Sequence, residues 1–133
     1  MADEGLVLCF DYGLARIGVA KGATMLGEAE PLTIIHAKTK QARWAQIDAL
    51  IETWDPDFLV IGVPYHEDGV PCEMTPVCQR FGRQLSARTR RYVYAVDERY
   101  SSAVVESRER YIDDEAAAVI LDQFFLEPEH TRL

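Results

Sequence analysis

The sequence predicts an α/β protein: one domain on a mixed five-stranded sheet, an antiparallel three-strand meander continued by parallel strands and flanked by helices. Three observations predict it. Two apolar runs, Leu6 to Phe10 and Arg16 to Ala20, are separated by a glycine-containing turn, the mark of a hairpin. A later run, Phe58 to Val63, is continuously apolar and too short for a helix, which suits a central parallel strand covered on both faces. Segments of helical spacing alternate with the later strands, and 133 residues suffice for one core without a second domain.

Taken in order, the first strand runs into Asp11, placed where the chain is expected to leave the core. An acid there is poised for metal or phosphate chemistry, although an Asp before a glycine turn can also serve only to accept backbone hydrogen bonds. Glu28 to Ala37 holds a proline and then Leu-Thr-Ile-Ile-His, the third strand of the meander. Thr39 to Thr53 has helical spacing, with Trp44 and Trp54 read as packing residues. Asp55-Pro56-Asp57 ends that helix, and a right-handed crossover leads to Phe58–Val63. A loop from Tyr65 to Pro71 follows, with Asp68-Gly69 as its turn and His66 as the one histidine near a loop of interest. Glu73 to Ala87 is predicted helical with Val77, Phe81 and Leu85 on one face, and Arg91 to Val96 is the fifth strand. Ser101 or Ser102 can cap a helix to about Arg110, and a last helix begins near Asp113-Asp114-Glu115, whose charges suit a helix N-terminus, and ends at about Leu126.

Composition narrows the function classes. Hydrophobic residues at 48% and charged residues at 27% exclude disordered and fibrous chains. No apolar run approaches the roughly 20 residues of a membrane span, and the first residues are acidic where a signal peptide is basic, so a cytoplasmic protein is expected. Cys9, Cys72 and Cys78 lack Cys-x-x-Cys spacing, and His36, His66 and His130 lack paired ligand spacing, which argues against disulfide and zinc frameworks. The net charge of −8 argues at first against a nucleic-acid partner. The distribution softens that objection: residues 79–110 carry eight of the fourteen basic side chains, among them Arg80, Arg83, Arg88, Arg90 and Arg91, in about a quarter of the chain. These suit phosphate contact, or equally a solvated helix face balancing the acidic ends.

Acids stand at the end of the first strand (Asp11), at the end of the fifth (Asp97, Glu98) and at the start of the last helix (Asp113). In a mixed sheet of this order those three places can meet, and converging carboxylates repel unless they bind cations. Such a set suits Mg²⁺ or Mn²⁺, with two ions about 3.5–4 Å apart flanking a phosphodiester. Taken singly, each acid also has a local reading as an ion pair or a helix-end charge.

Four motifs in this order, Asp11-x-Gly13 with Arg16-Ile17-Gly18-Val19-Ala20, then Ile61-Gly62-Val63-Pro64 with Asp68-Gly69, then Asp97-Glu98-Arg99-x-Ser101-Ser102, then Asp113 ahead of Ala116-Ala117-x-x-Ile120-Leu121, resemble the YqgF/RuvX family over nearly the whole chain. The resemblance implies a ribonuclease H-like fold and a divalent-metal nuclease, either a Holliday junction resolvase or, preferred, a nuclease maturing the 5′ end of pre-16S rRNA. It also implies Asp11, Glu98 and Asp113 as the catalytic, metal-binding set. Asp97 is a poorer choice than Glu98, because successive strand residues face opposite sides and only one can join Asp11. Arg16 and Arg99 would neutralise phosphate or order the carboxylates, with Arg80 and Arg83 as further substrate contacts. RNA is the favoured partner and DNA the alternative, bound by a monomer or a homodimer.

The chain departs from the family in one place. Relatives carry a longer basic, glycine-containing loop before the last helix, whereas here Tyr111-Ile112 joins the segments almost directly, which weakens the case for gripping a four-way junction. A binding module without catalysis would keep the fold but not the acids. An actin-like ATPase would need a second domain.

Overall fold

The computed structural model describes residues 5–98 and 112–133. Its elements are β1 (Leu6–Tyr12), β2 (Arg16–Ala23), β3 (Glu28–His36), α1 (Lys40–Trp54), β4 (Phe58–Val63), α2 (Met74–Thr89), β5 (Val93–Asp97), α3 (Asp114–Leu126) and β6 (Thr131–Arg132). The sheet order is β3-β2-β1-β4-β5-β6. β1, β2 and β3 pair antiparallel, β4 joins β1 in parallel and β5 joins β4 in parallel. The α/β class and the meander followed by parallel strands are as expected. The strand count is one higher, because Thr131 and Arg132 pair antiparallel with Ala95 and Tyr94. Two residues carry no alternation for a reader of sequence to see.

Alternation along the strands sorts the core into two layers. Leu8, Phe10, Ile17, Val19, Leu59, Ile61 and Val93 point to one face, where α1 contributes Ile47 and Ile51 and α2 contributes Cys78, Phe81 and Leu85. Val7, Cys9, Ala20, Val60, Tyr94 and Val96 point to the other, which α3 covers with Ala117, Ile120, Leu121 and Phe124. Trp44 lies 5.6 Å from the Phe81 ring, and both tryptophans pack against the first layer, as packing residues should.

Four of the helix ends follow capping chemistry, while α2 starts at Glu73 without a side-chain cap. Thr39 accepts a hydrogen bond from the Ala42 amide, and α1 closes on Asp55 in the left-handed region at φ 44°, its N–H bonded to the Ile51 carbonyl. α2 closes the same way on Arg90 at φ 58°. Asp113 is the N-cap of α3, its carboxylate accepting from the Ala116 amide at 2.9 Å, so the helix starts one residue later than its acidic run suggests. β1 extends two residues past its predicted end, since Asp11 and Tyr12 stay paired with Gly18 and Ile17. Asp11 therefore lies inside the sheet rather than beyond it. The helix expected from Ser101 or Ser102 to Arg110 falls outside the described residues.

Candidate functional site

One row across the sheet organises the acids. Asp11 of β1 pairs with Gly18 of β2, and on the other side Phe10 pairs with Ile61, so that Gly62 follows beside Asp11. Gly62 in turn pairs with Val96. By alternation with Val7 and Cys9, Asp11 faces the α3 layer, and the two glycines flank it on that face.

The missing side chains are what make room. A Cβ on Gly62 would come within 1.9 Å of Glu98 Oε1, so the Glu98 carboxyl group occupies the space above that glycine. A Cβ on Gly18 would come within 1.8 Å of the Asp113 carbonyl oxygen and 2.2 Å of its carbon, so the backbone entering α3 lies directly against that strand. Three acids from three elements are thereby brought around one sheet position. Asp11 and Glu98 are buried, at 0% and 2% exposure, and Asp113 is half-buried. Asp97, one residue before Glu98, lies at the end of β5, and Gln123 of α3 donates to its carbonyl at 3.0 Å, tying the strand end that carries Glu98 to the helix that follows Asp113.

The turn after Asp11 is fixed from α1. Arg43 donates to the Tyr12 hydroxyl at 2.9 Å and to the Leu14 carbonyl at 3.0 Å, while Gly13 packs against Ile112 so closely that a Cβ would meet its Cδ1 at 2.7 Å. Gly18, Gly62, Gln123 and Arg43 were not read as site residues from sequence. Only the glycines carried a signal, since an isolated glycine within a strand marks close approach of another chain segment.

The arginines separate. Arg16, half-buried at the start of β2, lines a groove of about 730 Å³ at the carboxyl ends of β1 and β4, together with Tyr12, His36, Tyr65, His66 and Ile112. Arg80 and Arg83 are exposed on α2, the helix that covers the opposite face of the sheet from α3, and are not brought to the acids. Arg88 is committed to Asp48 through two hydrogen bonds of 3.0 and 2.7 Å, which hold the Asp48 carboxyl below its ordinary pKa. Arg91 bonds Asp55, the Pro56 carbonyl and the Thr89 carbonyl. Two of the clustered arginines thus join α1 to α2 and to the start of β5. Arg99 lies outside the described residues.

Asp11, Glu98 and Asp113 are all hard oxygen donors, the kind Mg²⁺ and Mn²⁺ take, and crowding like charges into a buried row carries a cost that a divalent cation offsets. The donor chemistry and the glycine cradle fit such an ion. Among the described residues no group of three His, Cys, Asp or Glu forms a finished cage, and Asp113 Oδ1 is occupied with its helix cap.

Comparison with known proteins agrees with this architecture. Residues 5–127 match the family model described as "RuvX: Holliday junction resolvase". A protein of Paraburkholderia phytofirmans named "Putative pre-16S rRNA nuclease" is 43% identical over 128 residues, covering 91% of this chain and 88% of its own. One of the same name from Dechloromonas aromatica is 43% identical over 137 residues, covering 95% and 94%. Among solved structures, Thermus thermophilus RuvC in complex with a Holliday junction substrate superposes with a TM-score of 0.61 at 12% identity, over 97% of this chain and 99% of that one. That likeness places the fold with RuvC, and the match across nearly the full length shows that the chain belongs to the RuvX family.

Proposed function

We propose that this chain is a divalent-metal-dependent nuclease that hydrolyses phosphodiester bonds, acting in 5′-end maturation of pre-16S rRNA. The observation that carries the reading is the row Gly18-Asp11-Gly62, around which Glu98 and Asp113 gather. The names of the relatives supply the substrate.

Asp11, Glu98 and Asp113 would hold Mg²⁺ or Mn²⁺, which supplies an activated water and charge stabilisation for the displaced 3′ oxygen. The chain's own work is positional. The β1 ladder fixes Asp11, Gln123 fixes the strand end beside Glu98, and the α3 cap fixes Asp113. Arg16, in the lining of the groove, would counter the charge of the incoming phosphate, a role assigned also to Arg99. Arg80 and Arg83 would make outlying contacts with substrate that extends beyond the site. Ser101 and Ser102 take no part as nucleophiles, because attack by water leaves no covalent intermediate.

A second reading, resolution of four-way DNA junctions, is favoured by the family description and by the RuvC-like fold. It requires two active sites and hence a homodimer, whereas end processing requires only one. Purified protein with Mn²⁺ is offered RNA bearing a precursor-like 5′ extension and, separately, a synthetic four-way junction, with Asp11→Asn alongside. Trimming of the RNA that the variant lacks supports processing. Symmetric nicking of the junction supports resolution, and no cleavage of either overturns both.

A further inference from the structure

We infer that the groove beside the acids is a slot for one unpaired nucleotide of an RNA strand, with the base against Tyr65 and the phosphate toward Arg16. The placing of the phosphate rests on the nuclease reading; the base slot does not. The chain carries 22 acidic residues among 133, yet none of the thirteen described residues lining this groove is acidic. Its polar lining includes Arg16, His36 and His66, set among tyrosines and aliphatic side chains, a combination complementary to an aromatic ring that carries a phosphate.

The groove also adjoins the acids along the chain. Tyr12 and Gly13 follow Asp11 directly, and Ile112 directly precedes Asp113. Tyr12 packs with the α2 layer and Asp11 faces the α3 layer, so the groove opens at the carboxyl end of β1, next in sequence to the row Gly18-Asp11-Gly62 rather than on the same face.

The walls are held in place. Tyr12 is stacked on Phe81 at 4.4 Å and pinned by Arg43, which makes it a floor rather than a free platform. Tyr65 stacks on no other ring among the described residues; its hydroxyl accepts from Gln79 at 3.4 Å and its backbone is bridged to Pro71. The loop behind it is closed by the His66 amide donating to the Val70 carbonyl, the Gly69 amide donating to the His66 carbonyl, and Thr75 donating to the Pro64 carbonyl at 2.5 Å. A half-buried tyrosine that lines the groove and is held at its hydroxyl and backbone spends little further entropy on stacking a base. A base that is paired within a duplex cannot enter.

The test is binding of a fluorescent single-stranded RNA to the full chain in EDTA, where turnover is suspended. It is compared with the blunt duplex of the same sequence and with a set of oligonucleotides carrying one abasic nucleotide at successive positions. Single strand should bind about tenfold tighter than duplex, and one abasic position should lose roughly tenfold. That loss should vanish in Tyr65→Leu, because the partner of the missing base is then gone. A flat abasic scan, or a penalty that persists in Tyr65→Leu, overturns the slot. The abasic scan on unmodified protein needs no variant, so a misfolded Tyr65→Leu leaves the test intact. Cleavage in Mn²⁺ read separately distinguishes the two ideas: coupling without cleavage keeps the slot and sinks the nuclease, and cleavage without coupling does the reverse.

Discussion

Gly18→Ala is the sharpest perturbation available, because the obstacle is backbone. The added Cβ would stand 1.8 Å from the Asp113 carbonyl oxygen, and opening that contact to the 3.4 Å where ordinary packing begins moves the entry of α3 by roughly 1.6 Å. No rotamer change relieves it. Overpacking of this kind costs about 1–3 kcal/mol, a fall in Tm on the order of 4–12 °C. A displacement beyond about 1 Å in the positioning of reacting groups costs on the order of a hundredfold in rate, so kcat/KM should fall about a hundredfold while the protein stays folded. Gly62→Ala differs, since its obstacle is the Glu98 side chain, which can swing away; activity should fall with less loss of stability. Gly27→Ala is the control: it has a positive φ of 66° and nothing within 4 Å, so it should lose about 1 kcal/mol and no activity. Thermal melts by circular dichroism and single-turnover cleavage read both quantities. Wild-type kcat/KM in Gly18→Ala would refute the claim that this row positions the acids.

Mn²⁺ should raise the Tm of the wild type, and Asp11→Asn should abolish cleavage, keep the fold and remove that rise, a readout independent of activity. Replacing both Arg80 and Arg83 with glutamine should flatten the dependence of RNA affinity on salt by about 0.7 for each phosphate no longer neutralised, and an unchanged slope returns them to a solvated face. Burial raises the pKa of Glu127, so its ionisation is harder in the folded protein than in the unfolded chain. Its cost is therefore absent at acid pH and present once pH exceeds the raised value. Glu127→Gln should raise Tm at neutral pH and leave it unchanged in acid; equal shifts at both would show that the carboxyl is not the cause. Asp48 runs the other way. With its pKa lowered by Arg88, the pair stabilises at neutral pH and is lost as pH falls through the carboxylate range, so Asp48→Asn should lower Tm only at the higher pH.

Much of the fold was legible because its signals are periodic. β4 announced itself as six apolar residues with no polar break, and all six are buried. The hairpin of β1 and β2 was visible on either side of its turn. The two-residue β6 was not, since only its pairing with Ala95 and Tyr94 makes it a strand. In the site, the acids were legible as types and in order, but not the means of gathering them. That depends on register, which sets Gly18 and Gly62 on either side of Asp11. The arginine-rich stretch was misleading in part for the same reason: sequence shows that Arg88 and Arg91 are cationic, and only the packing of α1 against α2 shows Asp48 and Asp55 waiting for them.

Asp11 sits on the strand at which the sheet changes from antiparallel to parallel, with β2 bonded along one edge and β4 along the other. Amides in such a strand should exchange with solvent more slowly than those of β3 and β6, which lie at the margins of the sheet. The acid is thus rooted in the part of the molecule that breathes least. A site built on Asp11 would keep its anchor while the edge strands fray.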